Sequence, residues 1–211
     1  MKKITTITYL LICFCLISSI SFAQNFQLKG RSSIGINIGL FTGAKSTNSV
    51  IINGFKTEAS TNGFSGNLYF LHWFQENMSL KFSAGLLSGS TDVSVKALNT
   101  VQQASAVFPI LIGLNYYLLD ASISDAMRPY ISGSLGMYVG SEAKNNLISQ
   151  QVHSEAAMGG RAGIGIDFLV SNHFTLGANL GYNLMANFSE PIGGRENFNG
   201  GDFSFQLSYI F

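Results

Sequence analysis

From Arg31 to the last residue the chain repeats one pattern: bulky apolar and small polar residues alternate, and polar segments separate the alternating stretches. Side chains of an extended strand point to opposite sides in turn, so each stretch predicts a strand with two unlike faces. Ile34, Ile36, Ile38 and Leu40 oppose Arg31, Ser33, Gly35, Asn37 and Gly39. Leu80, Phe82, Ala84 and Leu86 oppose Ser79, Lys81, Ser83 and Gly85. Phe108, Ile110, Ile112, Leu114, Tyr116 and Leu118 oppose Val107, Pro109, Leu111, Gly113, Asn115 and Tyr117. Pro109 lacks an N–H for the ladder, which predicts a bulge or a strand start there. Ile131, Gly133, Leu135, Met137 and Val139 oppose Tyr130, Ser132, Ser134, Gly136 and Tyr138. Ala162, Ile164, Ile166 and Phe168 oppose Arg161, Gly163, Gly165 and Asp167. Phe174, Leu176, Ala178, Leu180, Tyr182 and Leu184 oppose Thr175, Gly177, Asn179, Gly181 and Asn183. Phe203, Phe205, Leu207, Tyr209 and Phe211 oppose Ser204, Gln206, Ser208 and Ile210. One further stretch, Gly63–Phe74, is strand-like, but Leu68 and Phe70 compete with Tyr69, Leu71 and Trp73 for its apolar face.

The connections alternate in length. Lys45–Thr61, Ser88–Gln103, Gly140–Ser154 and Ala186–Gly201 are long, polar and read as loops; Gln75–Asn77, Asp120–Met127 and Ser171–His173 read as short turns. Eight strands joined this way predict an all-β fold, an eight-stranded antiparallel up-and-down transmembrane β-barrel with short turns at one end and long loops at the other. A soluble barrel or sandwich would share the alternation. Three features favour the membrane. The larger face carries no charge in the seven strands with assigned faces. The smaller face of Gly, Ser, Asn and Thr makes a poor core but suits a wet or hydrogen-bonded lumen. Phe41, Trp73, Phe74, Tyr116, Tyr117, Phe168, Phe174, Tyr209 and Phe211 gather near strand ends, as interfacial girdles do. Side chains about fill an eight-stranded interior, so no wide pore is expected. In hydrocarbon every backbone group must be paired, so the last strand must bond to the first, Arg31–Phe41.

The start of the chain follows a different rule. Lys2 and Lys3 precede an uncharged apolar centre, Tyr9–Ile17, and Ser21-Phe-Ala23 supplies small residues at cleavage-site positions. Residues 1–23 therefore predict a secretory signal peptide cleaved before Gln24, leaving 24–211 as one barrel domain. Cys13 and Cys15, the chain's two cysteines, would leave with it. Stability must then come from burial and hydrogen bonds without disulfides. The 12 basic and 11 acidic residues nearly balance, so no electrostatic case exists for binding nucleic acid.

Gly63-Phe-Ser-Gly66, Phe108–Tyr117, Arg128–Gly136 and the terminal Phe211 resemble the small outer-membrane β-barrel families, the OmpX/OmpA-barrel/OmpW-like group with the outer membrane protein beta-barrel domain. The resemblance spans the mature chain through loose patterns. It implies a bacterial outer-membrane location and a terminal strand (Phe203, Phe205, Leu207, Tyr209, Phe211) read by the barrel assembly machinery, with Phe211 as its key residue. It does not imply one activity.

Chemistry is sparse. His72 and His173 read as interfacial or solvent-facing. His153, Ser154 and Glu155 bring base, nucleophile and acid together, but neighbours in a strand point apart, so they read as loop decoration. No phosphate loop and no His/Cys metal spacing is present, so no cofactor or metal is expected. The inward charges say more. Arg31, Lys81 and Asp167 fall near the turn ends of their strands, and Arg161 and Asp202 near the loop ends. Charges in a narrow barrel are costly unless paired, so two interior clusters that plug the lumen are expected, against charges that merely meet water at the mouths. The expectation is a monomeric, non-enzymatic barrel in contact with outer-membrane lipid, whose four long loops carry a structural or surface-interaction role. The rival is a narrow porin-like conduit for small or hydrophobic solutes, constricted by Leu111 and Tyr117. A lipid-modifying enzyme is a distant third.

Overall fold

The computed structural model describes residues 27–43, 50–52, 55–57, 62–89, 103–121, 124, 126–146 and 149–211. The expected signal peptide lies outside them. Eight strands form a closed antiparallel barrel: β1 (Ser32–Gly43), β2 (Asn62–Gln75), β3 (Met78–Gly89), β4 (Gln103–Tyr117), β5 (Met127–Asn146), β6 (Ser149–Leu169), β7 (Phe174–Met185) and β8 (Gly200–Ile210). Each pairs with its neighbours in chain order, and β8 returns to β1 from Ser33↔Ile210 to Gly43↔Gly200. The up-and-down barrel read from the alternation is the observed fold. The last residue completes the seam. Ser32 N–H donates to the Phe211 carbonyl at 3.0 Å, and Phe211 N–H donates back to the Ser32 carbonyl at 2.8 Å. No backbone edge is left there to meet hydrocarbon.

Burial follows the predicted faces. Along β8 it switches at every residue from Gly201 to Ile210: Phe203, Phe205, Leu207 and Tyr209 face outward, while Asp202, Ser204, Gln206, Ser208 and Ile210 are buried. The open question in β2 resolves the same way. Leu68 and Phe70 face outward, and Tyr69, Leu71 and Trp73 point into the barrel. An outer surface of Ile, Leu and Phe this continuous would be untenable in water and suits hydrocarbon.

Three expectations need correction. First, the described residues of Gly140–Ser154 are strand and not loop. β5 and β6 pair without a break from Met127↔Phe168 to Asn146↔Ser149. Beyond the membrane both faces of a ribbon meet water, so its backbone still pairs although its sequence lacks the apolar alternation of the spanning strands. Second, Phe41, Trp73 and Tyr117 are fully buried inside the barrel and belong to no girdle. Their outward neighbours Phe74 and Tyr116, with Phe168, Phe174, Tyr209 and Phe211, are exposed on the lipid face. Position near a strand end sets depth, but parity along the strand sets the side. Third, Pro109 marks neither a bulge nor a strand start. It sits inside β4 and pairs in register with Tyr138 of β5. On its other side the β3–β4 ladder passes from Ala84↔Ile110 to Leu87↔Val107 with the steps between them unpaired and the register unchanged. The missing N–H is absorbed as a gap in the ladder.

Candidate functional site: a layered, sealed lumen

The barrel interior is stacked in layers. At the turn end, Tyr69, Leu71, Trp73, Tyr117, Tyr130, Leu169 and Ile210 pack together with Leu28, which precedes β1. The ring centroids of Trp73 and Tyr117 lie 6.3 Å apart, and those of Tyr117 and Tyr130 5.4 Å. Leu28 arrives by a designed bend. Gly30 has φ near +80°, a region other residues avoid, and its N–H donates to the Trp73 carbonyl at 2.6 Å. The Glu76 carboxylate in the β2–β3 turn accepts from the N–H groups of Leu28 and Lys29, each at 3.0 Å. The segment before β1 is thus tied across the barrel mouth as a cork.

At the loop end, Phe41, Leu87, Val107, Leu111, Tyr138, Ala157 and Met185 pack against Phe188, Ile192 and Phe198. The last three belong to the β7–β8 connection, which folds inward over the mouth. A tight turn at Gly193 (φ 58°) and Gly194 (φ 74°) carries reciprocal Ile192–Arg195 bonds of 2.9 and 3.1 Å. Gly193 N–H donates to the Glu142 carboxylate at 3.1 Å, and the Arg195 guanidinium covers the Phe198 ring at 5.1 Å. The connection is a packed cap, where its polar composition predicted only a loop. Three large apolar residues in that polar segment were the available signal.

Between cork and cap runs a continuous chain of hydrogen bonds. Tyr117 donates to Asp167 at 3.1 Å, and the Gln206 amide donates to the same carboxylate. Tyr130 donates to Gln206 at 3.2 Å and accepts from Asn179 at 3.1 Å. Arg161 donates to Asn179 and grips Asp202 with two nitrogens, at 2.5 and 3.0 Å. Asn183 donates to Asp202 at 2.8 Å and accepts from Tyr138 at 3.0 Å. Glycines make the room: a Cβ at Gly181 would collide with the Arg161 guanidinium, and one at Gly165 with the Tyr130 ring.

Of the charges singled out in the sequence, Asp167, Arg161 and Asp202 therefore belong to one network rather than to two separate clusters. Neutral links explain the difference: Gln206, Tyr130 and Asn179 bridge the two levels. Lys81 is buried on the opposite wall, with its ammonium 5.0 Å from the Tyr69 ring centre. Arg31 lies just before β1, half-buried, and does not join them. Its place at the turn end is taken by Arg128, buried, paired in register with Asp167 and 3.9 Å from Glu76. Parity with Tyr130 was the signal for that residue.

The histidines lie away from the lumen network. His72 meets the Ser32 hydroxyl at 3.0 Å, and His173 stacks on Tyr209 with centroids 5.8 Å apart. His153 lies in β6, with Nε2 at 3.6 Å from Glu155 and 3.4 Å from Glu190. Ser154 points away and meets the Ser141 hydroxyl at 3.4 Å. The terminal set Phe203, Phe205, Leu207, Tyr209 and Phe211 forms the exposed outer face beside the seam.

A family model described as "Outer membrane protein beta-barrel domain" matches residues 10–211. No curated protein matches the chain. Among solved structures, Neisserial surface protein A is similar at 12% identity, over 87% of this chain and 98% of that one, with a TM-score of 0.58. Ail, the attachment invasion locus protein of Yersinia pestis, is 15% identical over 87% and 99% of the two chains, with a TM-score of 0.54. OprG, an outer membrane protein of Pseudomonas aeruginosa, is 15% identical over 89% and 98%, with a TM-score of 0.54. At these identities the likeness is one of fold.

Proposed function

Because the chain belongs to the outer membrane protein beta-barrel domain family, we propose that it is inserted in a bacterial outer membrane as a sealed scaffold whose extracellular end carries a surface-interaction role. The observation that carries this reading is the filled lumen. Among the described residues, cork, hydrogen-bonded chain and cap succeed one another along the axis, and a cavity of about 20 Å³ between them has room for one or two water molecules. What such a barrel offers is its outer end. About nine to eleven residues take a strand across the membrane, whereas β5 and β6 run to 20 and 21 residues and stand well clear of it. β6 pairs with β7 only from Gly159 onward, so the outer half of its β7-facing edge has no strand partner among the described residues. Unpaired edges are ready surfaces for another protein's strand. Ail, of the same fold, is named for attachment and invasion.

A second reading has one observation in its favour. The β3–β4 ladder is interrupted at Pro109, beside Leu87 and Leu111, which line the same cavity. A small hydrophobic solute passing between lumen and lipid would use such a gap.

The two readings separate in cells. In one variant residues 143–152 are replaced by an Asn-Gly turn, which keeps the Glu142↔His153 pair; in the other, Pro109→Val closes the ladder. The scaffold reading expects the shortened ribbon to keep its outer-membrane level and heat-modifiable migration while adhesion of the cells to immobilised matrix proteins falls. Unchanged adhesion, with uptake of a hydrophobic solute lost in Pro109→Val, would replace it with the conduit.

A further inference from the structure

The lumen is packed unevenly. The hydrogen-bonded chain fills the β5–β8 side. On the β1–β4 side the buried polar residues are mostly small, among them Ser33, Asn37, Ser65 and Ser79, and the cavity of about 20 Å³ opens here. Asn37, Asn67, Lys81 and Ser83 line it, with Arg161 and Asp202 across from them.

Lys81 is the unusual member. It is 6% exposed, and an ammonium carries three hydrogen-bond donors. Its neighbour at 5.0 Å is the face of Tyr69, which attracts a cation but accepts no conventional hydrogen bond. Among the described residues no carboxylate forms an ion pair with it. The nearby carboxylates are engaged elsewhere: Asp202 by Arg161 and Asn183, Asp167 by Tyr117 and Gln206. Asn37, 4% exposed, lines the same space, and its carboxamide oxygen has no hydrogen-bond partner. A carboxamide turned over presents its NH₂ group in place of its oxygen. Asp167 and Asp202 act on Lys81 only across space, so its three donors have no anionic acceptor in contact, and a buried ammonium in that state favours one in the cavity beside it.

We propose that this cavity binds one monatomic anion of chloride size, held by the Lys81 ammonium and the side-chain amides of Asn37 and Asn67. The cavity admits a halide in place of one or two waters. Among the described residues cork and cap cover both approaches, so the anion enters as the barrel folds.

Bromide is the probe. The full mature chain is refolded in sodium bromide, crystallised without other halide, and examined by anomalous diffraction at the bromine edge. One anomalous peak in contact with Lys81 Nζ is expected, falling when excess chloride is present during refolding. Lys81→Met, which keeps length and removes charge, should lose the peak while the Arg161–Asp202 pair stays in place. A wild-type map with no peak beside Lys81, meaning water only, overturns the proposal. So does a peak that chloride does not lower, or one undiminished in Lys81→Met. If that variant does not refold, the wild-type map and the chloride competition still decide.

Discussion

Arg161 and Asp202 show how much one residue's placement can be read from sequence. Both lie on the small-residue face of an alternating strand, and that parity alone placed them in the lumen. Their partners could not be read, because contact across a barrel depends on register between strands far apart in sequence. The register sets Arg161 against Asp202 across 41 positions and inserts Asn179 beside them. Depth misled where it was taken for side, as with Trp73 and Tyr117, whose parity points inward. Arg161→Ala would leave Asp202 buried without its guanidinium. Urea unfolding of the refolded barrel should show a loss of about 3 kcal/mol, with most of it recovered when Asp202→Leu is added to Arg161→Met. A loss of under about 1 kcal/mol would place the pair among solvent-screened contacts. Ser154 lies on the opposite face of β6 from His153. Ser154→Ala should therefore leave the lipid A mass spectrum unchanged, and an altered spectrum would restore the enzymatic reading.

At the scale of elements, eight strands and their order were legible because lipid demands an apolar outer face on every one. Where that demand stops, legibility stops with it. Outside the membrane the β5–β6 ribbon and the β7–β8 cap have the same polar composition, yet one is paired strand and the other a folded plug. Backbone pairing and three buried apolar side chains distinguish them, and neither leaves a periodic trace. The terminal strand gains a second role at this scale. Phe211 carries an exposed ring and also closes the seam through both of its backbone groups. Phe211→Ala removes the ring alone, while deletion also removes two seam hydrogen bonds, each worth about 1 kcal/mol net. Both variants should reach the outer membrane at reduced level, as expected of an assembly signal, and the deletion should also unfold at lower urea in vitro. Normal outer-membrane levels of both would remove Phe211 from biogenesis.

At the scale of the whole molecule, the described residues close the barrel three times over, by the cork around Leu28, the hydrogen-bonded chain from Tyr117 to Tyr138, and the cap around Ile192. A closed barrel with every strand paired should migrate as a compact band unless boiled, and its absence from membrane fractions would count against the fold in vivo. The seal itself is tested most directly by planar-bilayer recording of the refolded chain. Wild-type protein should give no steady open-channel current. A variant with residues 187–198 replaced by a short turn should also stay closed, because the aromatic layer at the turn end remains. A large, steady current from the wild type would contradict the sealed scaffold.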